Sequence, residues 1–224
     1  MYDFKADVAI LLNITPDHLD RYEYKMENYI NSKFKLIQNM TSANKFIYYA
    51  DDSVTGVEIS TRKISANKTP VSLIDKSTPA HYDGSQMVFN LGAQPFSISQ
   101  SDTTLKGPHN LINTLSAVTA VFFAGADLGS IKSGLKSFKN APHRLESVAS
   151  IKGVEFVNDS KATNVDSVVY ALGSYTQPLI WIAGGIDKGN DYNLIKAAVA
   201  KKVKTLICLG KDNSKLKEFF GAVV

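Results

Sequence analysis

The chain has 224 residues, of which 44% are hydrophobic and 21% are charged, as is typical of a globular protein with a substantial core. Its net charge of +4 comes from interspersed basic and acidic residues, whereas nucleic-acid binding requires a concentrated basic face. No apolar run approaches the roughly 18 residues of a membrane-spanning helix, so we expect neither nucleic acid nor membrane insertion. The one cysteine excludes an internal disulfide, and the N-terminus lacks the plan of a signal peptide. We therefore expect a cytoplasmic protein.

The predicted elements alternate between strands and helices. The first part of the chain reads, in order, as strand 8–14, helix 25–40, strand 45–50, helix 51–62, strand 71–74, a hairpin of 87–91 and 95–98, helix 110–124 and helix 130–138. The second part reads as strands 146–151 and 154–157, helix 166–172, strand 179–183, helix 192–200, strand 203–209 and helix 214–220. This alternation predicts an α/β fold with a mainly parallel sheet. The apolar runs at 8–14, 179–183 and 203–209 indicate strands buried on both faces.

A breaker, Asn140-Ala141-Pro142, divides these two parts and predicts a linker between two domains, residues 1–140 and 141–224. A strong strand within a few residues of Met1 is unusual for a complete α/β domain. We therefore expect the chain to begin partway through its first domain.

Polar side chains follow the first predicted strand in the segment Thr15-Pro16-Asp17-His18-Leu19-Asp20-Arg21. Asp17, His18 and Asp20 have the chemistry to bind a hard cation or phosphate-bound Mg²⁺. The alternative is a polar turn that ends the strand at Pro16.

Lys33 lies near the middle of the apolar face that Met26, Ile30, Ile37 and Met40 define at helical spacing. An uncompensated ammonium group there would be unfavourable. The sequence leaves two interpretations: a lysine that extends past the edge of the core to solvent, or a functional lysine with an altered charge state.

Two further segments combine turn residues with ligand-binding side chains. In Gly107-Pro108-His109-Asn110, the asparagine either reads a nucleotide or caps the long helix. In Pro142-His143-Arg144-Leu145-Glu146, the arginine is suited to clamping phosphate, and the alternative is a surface ion pair.

The heptapeptide Asn158-Asp159-Ser160-Lys161-Ala162-Thr163-Asn164 leaves a strand and enters a helix, which is where ligands bind in open α/β sheets. A solvated turn with Thr163 or Asn164 as the helix cap is the alternative, and it is compatible with binding. Gly184-Gly185-Ile186-Asp187-Lys188-Gly189 similarly follows a strand, where glycines permit a sharp turn close to a ligand. The P-loop pattern G-x-x-x-x-G-K-[ST] does not occur in the chain.

Taken together, the order of these segments resembles the Mur ligase family. The matching segments, in chain order, are L-N-I-T-P-D-H-L-D-R-Y, Lys33, G-P-H-N-L-x-N, P-H-R-L-E, N-D-S-K-A-T-N and G-G-x-D-K-G. The D-S-K-A-T-N segment favours the member of that family that adds D-glutamate. The resemblance implies the later part of a central ATPase domain, without its P-loop, followed by a Rossmann-like C-terminal domain that is incomplete at its end.

The resemblance also implies catalytic roles for three residues. His18 would contact one Mg²⁺ near the incoming amine. Lys33 would be carbamylated by CO₂ and would bind a second Mg²⁺ through the carbamate. Lys161 would act at the reacting centre.

Five further residues would bind substrates, again as the resemblance implies. Asn110 would contact adenine, Arg144 would contact ATP, and Asp159 would contact the ribose. Thr163 and Lys188 would bind D-glutamate.

The implied reaction is the ATP-dependent joining of D-glutamate to UDP-N-acetylmuramoyl-L-alanine through an acyl phosphate, in peptidoglycan biosynthesis, by a monomeric enzyme. Because the P-loop is missing, we expect this chain to be inactive alone. The alternatives are a nucleotide-binding module without catalysis and a related ligase of the folylpolyglutamate synthase type.

Overall fold

The computed structural model describes residues 3–16, 18–105, 107–185 and 191–224. The chain divides into two compact units, Met1–Lys139 and Asn140–Val224. Each unit contains both helices and strands, and the predicted α/β class is confirmed.

The first unit is built on one six-stranded sheet whose strands are hydrogen-bonded in chain order. The strands are β1 (Val8–Leu11), β2 (Lys45–Tyr49), β3 (Asn67–Ser72), β4 (Ala80–Tyr82), β5 (Gln86–Phe89) and β6 (Phe96–Ser99). Neighbours from β1 to β4 are parallel, and β4, β5 and β6 continue the sheet as antiparallel neighbours. The predicted hairpin is therefore confirmed as β5 and β6, whereas β4 is an additional strand, too short for its pattern to be detected in the sequence.

Helices connect and cover these strands. They are α1 (Met26–Phe34), α2 (Ser53–Thr61), α3 (Pro108–Phe123) and α4 (Leu128–Ser137), with 3-10 turns at Leu19–Tyr22, Lys35–Ile37 and Gln100–Asp102. Aspartate side chains cap two of them: Asp52 accepts a hydrogen bond from the Thr55 amide at 2.9 Å, and Asp127 accepts one from the Ser130 amide at 3.0 Å.

Two hydrophobic clusters show that β2 is covered on both of its faces. Phe46 packs with Tyr29 and Phe34 of α1, whereas the adjacent Ile47 packs with Leu115 of α3. By contrast, Ile10 in β1 is 36% exposed, so the prediction that this strand is buried on both faces is wrong. The strand also ends at Leu11 rather than at residue 14.

The second unit contains an antiparallel hairpin, a parallel strand pair and three helices. Its elements are β7 (Glu146–Ile151), β8 (Val154–Asn158), α5 (Val165–Gly173), β9 (Leu179–Gly184), α6 (Asn193–Lys202), β10 (Val203–Leu209) and α7 (Ser214–Phe220). β7 pairs with β8 in antiparallel orientation, and β9 pairs with β10 in parallel. The core of the unit gathers residues of all three helices with one face of the parallel pair, for example Trp181 against Phe220.

The other face of β9 and β10 is exposed, which corrects the prediction that both strands are fully buried. Ile182 lies opposite Ile207 in the register, and these side chains are 62% and 47% exposed. The alternation of exposed and partly buried residues along each strand is typical of a sheet with one covered face.

Candidate active site and family assignment

His18 lies where the chain turns after β1. It adopts a left-handed conformation with φ 52° and directly precedes the 3-10 turn Leu19–Tyr22. Its carbonyl accepts a 2.9 Å hydrogen bond from the Arg21 amide, and its side chain is exposed. A non-glycine residue in this region is uncommon and marks a position worth functional consideration. Asp17, the neighbouring candidate cation ligand, lies outside the described residues.

Lys33 lies in the last turn of α1 and its side chain is exposed, so its predicted position on the buried face is wrong. The reason is that α1 ends at Phe34 and buries Tyr29 and Phe34 instead, while Met40 is outside the helix. The Lys33 Nζ is 5.0 Å from the centroid of the Tyr29 ring, within the range of a cation–π contact. The amine is therefore accommodated at the surface, beside the Tyr29 ring.

An aromatic pair connects the segment that carries His18 to the helix that carries Lys33. The rings of Tyr22 and Tyr29 meet edge to face with centroids 5.2 Å apart. Asn28 Nδ2 also donates to the Tyr22 carbonyl at 3.3 Å. Sequence reasoning missed this connection, although both tyrosines lie within seven residues of each other along the chain.

Asn110 is the third residue of α3, and the cap position is occupied by Gly107 with φ 90°. The alternative that Asn110 caps this helix is therefore wrong. Its amide donates to the Gly107 carbonyl at 3.1 Å, and its Oδ1 accepts from Asn113 Nδ2 at 3.2 Å. The side chain is held at the first turn of the helix, where amides point towards an incoming ligand.

In the second unit, the heptapeptide forms a loop whose main chain is fixed by its own hydrogen bonds. Asn158 Oδ1 accepts from the Ser160 amide at 3.1 Å, and the Asp159 carbonyl accepts from the Ala162 amide at 2.8 Å. Asn164 caps α5 by accepting from the Ser167 amide at 2.9 Å, which confirms the capping alternative for this residue. The Lys161 and Thr163 side chains remain exposed on the fixed loop.

The turn that precedes β7 is hydrogen-bonded to this loop. The Leu145 amide donates to Asp159 Oδ1 at 3.0 Å, and the Lys161 amide donates to the His143 carbonyl at 3.1 Å. Arg144, between these two contacts, is exposed, and its guanidinium makes no hydrogen bond or ion pair to any described residue. The alternative of a surface ion pair is therefore wrong, and the structure brings the turn that carries Arg144 next to Asp159.

Burial and two nearby carboxylates, one in β8 and one in this loop, change the pKa of Tyr175. Burial raises the pKa of the Tyr175 phenol, and the nearby carboxylates of Glu155 and Asp159 raise it further because they disfavour a second negative charge. The phenol therefore stays protonated at neutral pH and can donate a hydrogen bond at this end of the unit.

Backbone geometry requires glycine at the last residue of β9 and at the residue that follows it. A Cβ atom at Gly184 would lie 1.5 Å from the Leu209 carbonyl oxygen, and Gly185 adopts φ 119° while its amide donates to the same carbonyl at 3.1 Å. This close approach brings the ends of β9 and β10 together. Lys188, the candidate that follows them, lies outside the described residues.

The residues that the structure describes contain no group of three or more His, Cys, Asp or Glu side chains arranged to hold a metal ion. Within the same residues, no helix is both long and apolar enough to cross a bilayer.

The sequence matches two family descriptions in consecutive order: "Mur ligase middle domain" over residues 1–121 and "Mur ligase, glutamate ligase domain" over residues 143–222. A UDP-N-acetylmuramoylalanine--D-glutamate ligase of Cytophaga hutchinsonii is 50% identical over 226 residues, covering 100% of this chain and 50% of that protein. The enzyme of the same name from Bacteroides fragilis is 44% identical over 98% of this chain and 50% of its own length. The chain thus spans about half the length of the curated relatives it matches.

Solved structures show the same fold at low sequence identity. MurF from Acinetobacter baumannii superposes with a TM-score of 0.71 at 16% identity, covering 92% of this chain and 47% of that one. MurF from Thermotoga maritima, solved in complex with ADP, gives a TM-score of 0.65 at 16% identity, covering 98% and 56%. With one family description matching more than half of its residues, the chain belongs to the Mur ligase family.

Proposed function

We propose that this chain forms part of an ATP-dependent ligase that joins D-glutamate to UDP-N-acetylmuramoyl-L-alanine in peptidoglycan synthesis. The observation that carries the proposal is the hydrogen bond from the Leu145 amide to Asp159, which holds the turn that carries Arg144 against the loop that precedes α5. Curated relatives of 42–50% identity that carry the D-glutamate ligase name support the choice of substrates.

The proposed nucleotide contacts follow from the chemistry of each side chain. Arg144 presents a planar guanidinium that suits phosphate oxygens. Asp159 uses Oδ1 for the Leu145 amide, while Oδ2 has no partner among the described residues and is available to a ribose hydroxyl. Asn110, fixed at the first turn of α3, offers an amide to the adenine edge.

The proposed reaction begins when the substrate carboxylate attacks the γ-phosphorus of ATP, giving an acyl phosphate and ADP. The amine of D-glutamate then attacks the acyl carbon, and inorganic phosphate leaves with the electron pair of the broken C–O bond. Lys161 would stabilise negative charge at this centre. Thr163 and Lys188 would bind the carboxylates of D-glutamate.

The proposed metal chemistry concerns His18 and Lys33. An imidazole and a bare amine are poor ligands for Mg²⁺, which prefers oxygen. The exposed position of the Lys33 amine fits carbamylation by CO₂, which would supply the oxygen ligands. Mg²⁺, when bound, would neutralise charge on the phosphate groups.

A nucleotide-binding module without catalysis is the second candidate, and the missing P-loop pattern favours it for the chain in isolation. To test the proposal, the longest protein encoded by the reading frame that contains this chain, here called the reading-frame product, would be assayed for phosphate release. The full reaction needs UDP-N-acetylmuramoyl-L-alanine, D-glutamate, ATP and Mg²⁺, and phosphate release should require all four. Release that follows another amino acid or a folate substrate would instead indicate a related ligase.

The proposal includes a monomeric, cytoplasmic enzyme. Gel filtration of that product would test the first point, and fractionation of cells that express it would test the second.

A further inference from the structure

The main chain on both sides of Arg144 is held by several different partners. The His143 amide donates to Glu146 Oε2 at 2.8 Å, and the His143 carbonyl accepts from the Lys161 amide at 3.1 Å. The Arg144 carbonyl accepts from Asn140 Nδ2 at 2.7 Å, in addition to the bond between Leu145 and Asp159. The backbone is therefore fixed, whereas the Arg144 side chain projects without a partner among the described residues.

Both neighbours of Arg144 adopt the left-handed backbone region, with φ 66° at His143 and 44° at Leu145. This region is uncommon for residues other than glycine, although asparagine, aspartate and histidine adopt it more often than the rest, and a leucine there depends on surrounding contacts to maintain it. The contacts to the heptapeptide loop provide that restraint.

One of these contacts joins two side chains. Asn158 Nδ2 lies 2.7 Å from His143 Nδ1, a pairing in which the side-chain amide is the donor and the ring nitrogen is the acceptor. Glu146 Oε2 lies 3.6 Å from the same nitrogen and accepts its hydrogen bond from the His143 amide instead. Asn158 thus connects the imidazole directly to the end of β8, next to Asp159.

We propose that His143 is a positioning residue for Arg144: its hydrogen bond to Asn158 fixes the left-handed turn that aims the guanidinium at the phosphates of the nucleotide. This inference rests on the proposed function and goes beyond it, because the resemblance gives neither His143 nor Asn158 a role.

The test uses two substitutions at one position in the 224-residue chain. His143→Leu removes the acceptor for Asn158 and is poorly suited to positive φ. His143→Asn keeps an acceptor near the position of Nδ1 and tolerates positive φ, so it serves as the conservative rescue. Hydrogen exchange at the Leu145 and Lys161 amides reports the turn, and fluorescence of Trp181 reports global unfolding of the same unit.

We expect exchange at both amides to be about tenfold faster in His143→Leu, the effect of losing one hydrogen bond, and near the wild-type rate in His143→Asn. Unchanged exchange in His143→Leu would overturn the proposal. A loss of global stability in His143→Leu large enough to account for the faster exchange would overturn it as well.

A second readout measures binding of MgATP to the reading-frame product described above. His143→Leu should weaken binding about tenfold in the wild-type background and have no effect when Arg144→Ala is already present, the non-additivity expected of a positioning residue. Equal weakening in both backgrounds would contradict a role exerted through Arg144. If the reading-frame product without substitutions binds no MgATP, the proposed function fails. The exchange experiment still decides whether His143 fixes the turn.

Discussion

The Leu145 amide and the Asp159 carboxylate are joined by a 3.0 Å hydrogen bond that connects the turn before β7 to the loop after β8. They are fourteen positions apart along the chain, and the hairpin between them brings them back together. The same contact occupies one oxygen of Asp159 with a structural role and leaves the other for a ligand. The Asp159 side chain therefore serves both the hydrogen bond that holds the turn and the proposed binding of a ligand.

Replacement of Asp159 should separate these two roles. Asp159→Asn keeps an acceptor for the Leu145 amide, so the free energy of unfolding should change by less than about 1 kcal/mol, whereas Asp159→Ala should lower it by about 1–2 kcal/mol. Urea unfolding followed through Trp181 measures both. Equal destabilisation by the two substitutions would show that the hydrogen bond does not carry the effect.

Lys202 should stabilise the second unit by closing the end of α5. Its Nζ donates to the carbonyls of Leu172 and Tyr175, both at 2.7 Å. Lys202→Met keeps the aliphatic stem but removes the donors, and we expect a loss of about 1–2 kcal/mol in the free energy of unfolding. Lys201→Met is the matched control, since the Lys201 side chain is exposed and makes no hydrogen bond to a described residue. The same loss in both variants would contradict a specific role for Lys202.

Asp127 should make the first unit sensitive to acid. Hydrogen bonds from the Ser130 side chain and then from the Ser130 amide lower the pKa of this carboxyl group. Because the pKa is lower in the folded than in the unfolded state, the contribution to stability is present above about pH 4 and is lost as the pH falls through the lowered folded value. Titration of the Asp127 carboxyl carbon by NMR should give a midpoint below that of an unstructured aspartate. A midpoint at or above that value would refute the prediction, and Asp127→Asn should flatten the acid dependence while keeping the helix cap.

The exposed face of β9 and β10 should promote self-association of this chain. Ile182 and Ile207 are paired in register and largely exposed. The double substitution Ile182→Thr with Ile207→Thr keeps β-branched side chains and should reduce light scattering at high concentration. It should change the unfolding free energy by less than about 1 kcal/mol, since surface substitutions are usually mild. Unchanged scattering would indicate that another surface is responsible.

Local signals in the sequence were sufficient where a few neighbouring residues determine the conformation. The turn between β7 and β8 contains Lys152 with φ 51° and Gly153 with φ 80°, the pair of positive angles typical of a two-residue hairpin. Polarity alone was insufficient for β9 and β10, because their apolar runs do not reveal whether a second layer covers them. The end of α1 was likewise missed, since nothing at Phe34 or Lys35 interrupts the helical pattern.

In the candidate site, too, the sequence predicted some features and could not predict others. The order of the motifs identified the segments that carry Arg144 and Asp159, because each is short and chemically distinctive. The contacts made by His143 and Asn158 could not be predicted, since they depend on how two loops meet after folding. The exposure of Lys33 also depends on tertiary packing, namely on which residues α1 buries.

The most direct test of the proposed function is detection of the ligation product by mass spectrometry. The reading-frame product that contains this chain would be incubated with UDP-N-acetylmuramoyl-L-alanine, ATP, Mg²⁺ and either D-glutamate or L-glutamate. We predict a D-glutamyl product that requires ATP and is strongly reduced by Arg144→Ala. A product formed equally well from L-glutamate, or no product with D-glutamate, would contradict the assignment.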